Sequence, residues 1–560
     1  MGESVQPIDE TYDFVVVGSG GGSMCAGLVM RKAGRSVLVV EKTPYLGGTT
    51  ATAGGVMWIP NNRFMKRQGV EDSYEKASTY LDSVVGDSPD TPGASRERRS
   101  AYVREAPEMV DFLVDQGVKL TRGVYWPDYY DERPGGSEAG RTVVAELFDV
   151  NELGPWKTKL RPPRMRAATR TDRLARLPLL KVSWLGRLEA FKMVTRKTLA
   201  NLAGKSLVTA GGALQGRMLQ AAVKAGVEFR TQTPVTSLIV EDGAVKGVVT
   251  IKDGREQRIG ARLGVLLNAG GFSHNQAMRD KYMPGTRAEW TFAAEGDTGD
   301  MHLELIRLGA AMAQMDEMVG AQATRPPGSP MTHAQQQLAK PHAFLVDQSG
   351  ERYLNEGGSY MLFCQKVFER DKAVPAIPSW WIMDSQYMSK YMFADTLPGS
   401  PKPQAWFDQD YMKTADTIEE LARLCKIDPA KLRAVTERFN GFARKGRDED
   451  FGRGDRAYDR YLGDFTHKPS AALGAVEKAP FYAVPLVPGD VGTYGGVVTD
   501  TYARVLMADG SVLPGLYATG TTTAGVMGRT YPGAGCSIGP SFTWGYVAAK
   551  HAAGLGNQPA

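Results

Sequence analysis

The chain has 560 residues, 64 of them glycine, with 42% hydrophobic and 23% charged residues and a formal net charge of +5. That length exceeds one compact core and predicts two domains, while so small a net charge gives nucleic acid no foothold as a partner. Cys25, Cys364, Cys425 and Cys536 are scattered without a CxxC pair, which argues against a disulfide scaffold and a metal site and for a reduced, cytoplasmic protein.

The opening stretch, MGESVQPIDE, is acidic and lacks an apolar core, so no signal peptide is expected there. Gln6 stands where a myristoylation signal needs Ser or Thr. No stretch approaches the roughly 18 uninterrupted apolar residues of a membrane span. Phe14 to Gly18 (FVVVG) is a short β-branched run and reads as a buried parallel strand. Gly20, Gly21 and Gly22 follow, then a helical stretch closed by Gly34, then a second strand from Ser36 to Val40 ending at Glu41. This is a βαβ dinucleotide unit: glycines admit a pyrophosphate to a helix N-terminus, and an acid at the end of the second strand binds a ribose hydroxyl.

The next loop favours FAD over NAD. Lys42 leads into Gly47, Gly48, Thr49 and Thr50, a second small-residue loop that an elongated FAD uses to wrap its diphosphate. A later strand, Gly264 to Ala269, runs into Gly270 and Gly271, and GLYATGTTTAG repeats strand-then-glycine chemistry around Gly520. Ser537 and Ile538 are further cofactor candidates. No histidine lies between residues 41 and 60, so noncovalent FAD is expected.

Asn151 to Lys205 holds 14 Lys or Arg against 3 acids, interleaved with Leu174, Trp184, Leu188 and Phe191. A basic amphipathic segment of this kind suits a solvated helical excursion, a subunit contact or the surface of an anionic bilayer. Val227 to Val249 predicts two strands joined at Asp242-Gly243, and His342 to Leu354 two strands around Ser349-Gly350. Ala415 to Lys445 has helical periodicity. Cofactor motifs at both ends predict an α/β protein with a discontinuous Rossmann-like FAD-binding domain, 1–317 and 488–560, and an inserted α+β catalytic domain, 318–487.

GRTYPGAG, near the C-terminus, sets Tyr531 and Gly535 four residues apart on a turn that can aim a phenol O–H and a backbone N–H at one oxygen. Two such donors polarise a ketone and stabilise its enolate. With this turn, the Gly18 unit and the Gly47–Gly48 loop, the chain resembles bacterial 3-ketosteroid Δ1-dehydrogenases, FAD enzymes related to soluble fumarate reductase flavoproteins. The resemblance covers nearly the whole chain except the basic 151–205 excursion. It implies that Tyr360, in ERYLNEGGSY, is the catalytic base, that Tyr129, in WPDYY, supports it, and that Tyr531 and Gly535 hold a steroid 3-keto oxygen. The electron acceptor stays open at this point, a quinone or similar. On this expectation Tyr129 donates to Tyr360 and, with nearby dipoles, lowers its pKa from the ordinary phenol value of about 10. Rival readings are a desaturase acting at C4–C5 or on a cyclic ketone, a fumarate-reductase-like enzyme, and a flavin-binding protein without turnover. The second needs an Arg and His grip on dicarboxylates, and Arg529 is the only arginine beside the C-terminal flavin loop.

Overall fold

A computed structural model describes residues 7–555. The expectations for residues 1–6, Gln6 included, lie outside the described residues.

The first strand, Glu10–Val17, is fully buried over its second half, and Val37–Val40 lies parallel beside it. Each buried Val contributes roughly 1.5–3 kcal/mol against exposure, so contiguous β-branched runs hold the middle of a sheet. The sheet order is Arg504–Leu506, Val512–Ala518, Arg255–Leu267, Glu10–Val17, Val37–Val40, Glu228–Arg230. All neighbours along this path are parallel except the first pair. The Arg255–Leu267 strand also pairs antiparallel along its first half with Ala244–Lys252, which in turn pairs with Val235–Glu241. The Asp242-Gly243 hairpin therefore forms, but the reading of one strand from Val227 onward is corrected. Glu228–Arg230 and Val235–Glu241 are separate strands, and the connecting segment includes Gln232 at a positive φ and Pro234.

The helix after the first strand, Gly21–Lys32, packs on the last helix, Ile538–Ala552. Gly22 and Gly545 make this possible: a side chain at either position would collide with the backbone of the other helix. The end of the chain is thereby laid against the nucleotide unit at its start.

A second, antiparallel sheet runs Thr332–His333, Met318–Thr324, Phe481–Thr493, Ser379–Asp384, Ala343–Val346, with Lys413–Ala415 also on Phe481–Thr493. Only the first strand expected between His342 and Leu354 forms. After Val346 the chain turns at Asp347, whose carboxylate accepts from the Ser349 and Glu351 N–H groups, and residues 351–353 carry no strand. The helical stretch of Ala415 to Lys445 resolves into Ile418–Leu424 and Pro429–Lys445, broken before Pro429.

The helix Tyr360–Asp371 lies on Met318–Thr324, and the close approach needs Gly320, where a Cβ would fall 2.5 Å from the Cys364 Cβ. In the basic excursion the helix Trp184–Leu202 leaves Trp184, Phe191, Val194, Leu199 and Leu202 largely exposed on one side. Among the described residues no helix is long and apolar enough to cross a membrane.

Candidate active site

A long pocket follows the C-terminal ends of the parallel strands, where open α/β sheets bind ligands. Of the residues singled out in the sequence, Gly18, Gly20, Glu41, Lys42, Gly48, Thr49, Thr50, Gly270, Gly520, Ser537 and Ile538 line it. Gly21, Gly22, Gly47 and Gly271 do not: side chains there would strike Phe542, Ser541, Ala51 and Thr493, so these glycines serve packing. The sequence reading missed Arg161, Asn268, Asp297 and Asp300, which also line the pocket. The acidic run around Gly299 was the available signal for the last two.

A dinucleotide fits this pocket. The N–H groups of Gly20, Gly48 and Thr49, all pocket-lining residues, have no acceptor among the described residues, which leaves them free to donate to a pyrophosphate. Glu41 sits buried at one end and accepts from Ser19 Oγ at 2.6 Å and from Thr43 N at 2.9 Å. Lys42 Nζ reaches Asp300 at 2.8 Å. Burial pushes the Asp297 carboxyl up to about 7, against the pull of Lys42.

Beyond the other end of the pocket, near Ser537, tyrosines from distant segments meet. The Tyr360 ring centroid lies 5.0 Å from that of Tyr531 and 5.5 Å from that of Tyr129, and Tyr129 to Tyr531 is 6.0 Å. Tyr360 is the first residue of its helix. Tyr531 is carried by the glycine-rich turn, whose Pro532 carbonyl accepts from Tyr129 N at 2.8 Å and Tyr80 Oη at 2.6 Å. The Tyr129 loop is braced beneath by a buried pair: Asp128 accepts from Arg141 at 2.5 Å and from the Trp58 indole at 2.8 Å, and Arg141 also reaches Asp72 at 2.7 Å. Gly535 has a φ of +96°, and a side chain there would collide with the Val56 carbonyl. Its carbonyl accepts from Trp58 N, while its own N–H has no acceptor among the described residues. Tyr531 Oη lies 2.9 Å from Ser537 Oγ, linking the corner to the pocket.

Electrostatics correct one expectation. Burial pushes the Tyr360 phenol well above the usual value, and Tyr129 and Tyr531 push it further. Burial raises Tyr129 as well, partly opposed by the hydroxyls of Tyr458 and Tyr360, and lifts Tyr531 to about 12. The anticipated lowering by Tyr129 does not occur, because adjacent buried phenols compete for one negative charge in a dry site. Resting Tyr360 is neutral at pH 7.

Two further neighbours escaped sequence reasoning. Tyr458 stacks on Tyr129 at 4.1 Å and accepts from Gln335 Nε2 at 2.5 Å, which leaves its own proton free to point at Tyr129. Nothing local in the sequence marks it; Asp131 beside the Tyr129 loop accepts from Tyr458 N at 3.0 Å. His333 lies 5.6 Å from the Tyr360 ring and 5.7 Å from Phe292. Burial and the nearby Arg164 lower it to about 4, so it is a neutral imidazole. Arg529 is bound to Asp316 and Glu317 and does not turn into the corner as a dicarboxylate clamp would.

The family model described as an FAD binding domain matches residues 13–538. The chain is 40% identical to the 3-oxosteroid 1-dehydrogenase of Mycolicibacterium smegmatis, over 96% of this chain and 97% of that one. It is equally 40% identical to the enzyme of that name from Mycobacterium tuberculosis, over 97% and 98%. The crystal structure of 3-ketosteroid delta1-dehydrogenase from Sterolibacterium denitrificans, in complex with 1,4-androstadiene-3,17-dione, superposes with a TM-score of 0.91 at 34% identity, covering 97% of this chain and 100% of that one.

Proposed function

Because the chain belongs to the FAD-binding-domain flavoproteins and, within them, to the 3-oxosteroid 1-dehydrogenase family, we propose that the tyrosine corner is its active site and that its substrate is a 3-ketosteroid. The protein is an FAD-dependent oxidoreductase that introduces a C1=C2 double bond beside the 3-keto group. One observation carries the reading of the residues: Tyr531 shares a turn with a Gly535 N–H that has no acceptor among the described residues, and the Tyr360 ring stands 5.0 Å from that of Tyr531.

The Tyr531 O–H and Gly535 N–H grip the C3 oxygen, which draws charge onto that oxygen as C2 loses its proton. Tyr360 removes the C2 proton in the fraction of enzyme whose phenol has already released its own proton to solvent, and the Tyr129 hydroxyl beside it, stacked on Tyr458, supports the phenolate. FAD, held noncovalently by the glycine loops, Glu41, Lys42, Thr49, Thr50, Ser537 and Ile538, supplies the hydride acceptor for C1 when bound. The buried rings of Tyr129, Tyr360 and Tyr531 exclude water, which strengthens each of these contacts. We read 1–317 and 488–560 as the FAD-binding part and 318–487 as the catalytic insert, with a quinone-like acceptor reoxidising the flavin. The exposed apolar stripe of Trp184–Leu202, flanked by exposed Arg187 and Lys192, supports peripheral contact of the 151–205 excursion with an anionic bilayer.

Anaerobic mixing of the holoenzyme with 4-androstene-3,17-dione tests the reading. Rapid loss of the oxidised flavin absorbance with a 1,4-dienone as product is expected. Bleaching only by a saturated 5α-3-ketone or by cyclohexanone, or reoxidation of the reduced flavin by fumarate, would transfer the assignment to the corresponding rival.

A further inference from the structure

The catalytic groups of the proposed reaction sit on two separate supports: Tyr360 on its helix, and Tyr531 with Gly535 on the C-terminal turn. Away from the tyrosine rings, one cluster ties these supports together. Gln365, on the Tyr360 helix, donates its side-chain amide to Glu317 Oε2 at 3.0 Å and to the Arg529 carbonyl at 3.0 Å. Arg529, two residues before Tyr531, returns Nη1 to Glu317 Oε1 at 3.3 Å and pairs with Asp316 at 2.9 Å. Glu317 is held in its turn: its N–H donates to Gln314 O at 3.0 Å, and Gln314 Nε2 in turn donates to the Gly528 carbonyl at 2.9 Å. The Glu317 carbonyl accepts from Tyr494 N at 2.8 Å, and Tyr494 Oη reaches the Cys536 carbonyl at 3.1 Å, on the far side of Gly535. The helix of the base and both ends of the turn that grips the ketone thus converge on one residue, Glu317, the first through its carboxylate and the far end of the turn through its backbone.

We infer that Glu317, Gln365 and Arg529 are positioning residues that pin the Tyr360 helix to the Tyr531–Gly535 turn and so set the gap across which the C2 proton is removed. The inference rests on the roles of Tyr360, Tyr531 and Gly535 in the proposed reaction. The Glu317 side chain is only 12% exposed, whereas Asp316 and Arg529 are 57% and 38% exposed, so the buried carboxylate is the ordered member. The pin depends on its charge. A carboxylate accepts from both Gln365 and Arg529, but a protonated carboxyl adds a third donor where two already meet. Burial pushes Glu317 up to about 7, with Gln365 and Arg529 opposing and Asp316 adding to the rise. The other titratable group facing it is Tyr494, itself buried and protonated.

Glu317→Gln and Gln365→Ala in the holoenzyme test this, with turnover of 4-androstene-3,17-dione and exchange of the C2 hydrogen with deuterated water as readouts. A displacement of about 1 Å across a reacting pair costs on the order of 100-fold. Gln365→Ala is therefore expected to slow kcat and C2 exchange alike by about tenfold to 100-fold, with KM within about threefold and the flavin spectrum unchanged. Wild type is expected to lose kcat more steeply as pH falls below about 7 than it does above it, and Glu317→Gln to keep one slope across that range, at the low acid-limb rate. Variants that keep wild-type kcat, C2 exchange and pH profile within about twofold would overturn the pin while leaving the function intact. Wild type that neither turns over nor exchanges the steroid would sink the functional reading, and the pin with it. If Glu317→Gln fails to hold FAD, Gln365→Ala and Arg529→Lys carry the same comparison.

Discussion

Tyr360 has the wrong resting charge for a base, and its surroundings oppose the right one. Burial and the phenols of Tyr129 and Tyr531 hold it protonated at neutral pH, so only the small deprotonated fraction can accept the C2 proton. That fraction grows as pH rises, so kcat/KM is expected to climb from about pH 7 toward pH 10, above the limb that Glu317 contributes. A plateau reached below pH 7 would contradict this assignment. Tyr360→Phe and Tyr531→Phe should each nearly abolish turnover with FAD still bound, and either variant keeping most activity would lose its role. Tyr129→Phe should cost less, on the order of 100-fold, the low end of a positioned acid–base contribution. The three tyrosines were legible because their flanking motifs resemble a family's; Tyr458 and His333 were not, because their significance lies in what they touch.

At the scale of elements, the Tyr129 loop owes its position to Arg141, which is fully buried between Asp72 and Asp128. Burial raises Asp128 to about 6 even with Arg141 beside it. Arg141→Met would strand these two carboxylates, and a loss of about 3–5 kcal/mol is expected in urea unfolding. A loss below about 1 kcal/mol would show that the loop is held elsewhere. Gly535→Ala must combine a φ of +96° with a collision at Val56, so it should displace the turn and depress kcat as severely as Tyr531→Phe. The same scale marks where the sequence misled. Asp347 claims the Ser349 and Glu351 N–H groups for a turn, so the second strand expected before Leu354 never starts. Gly21 and Gly22, read as cofactor glycines, also let the first helix approach Phe542 and Ser541 of the last one, a packing need that the sequence reading did not include.

For the whole molecule, the excursion between Asn151 and Lys205 sets an exposed apolar helix face among excess positive charge. Trp184→Ser, Phe191→Ser and Leu199→Ser together should reduce co-sedimentation with vesicles containing phosphatidylserine while leaving kcat on dissolved steroid unchanged. Added salt should weaken the wild-type association, since the basic component is screened within about 10 Å at 0.1 M. Unchanged sedimentation of the triple variant would dismiss the membrane reading. These substitutions are preferable to deleting the segment, because Leu160 pairs with Leu46 and Arg161 lines the nucleotide pocket.

The nucleotide unit from Phe14 to Glu41 could be read from the chain alone because strand, glycine turn, helix and acid are contiguous, and local sterics and hydrogen bonding dictate their conformation. The residue types of the corner were likewise visible, through motifs a few residues long. Their meeting was decided only by tertiary packing: Gly320 lets the Tyr360 helix down onto its strand, Gly22 and Gly545 bring the last helix to the first, and Pro532 ties Tyr531 to Tyr129. Packing also set the protonation state, since the cost of charging a phenol depends on how little water surrounds it, and no stretch of sequence records that.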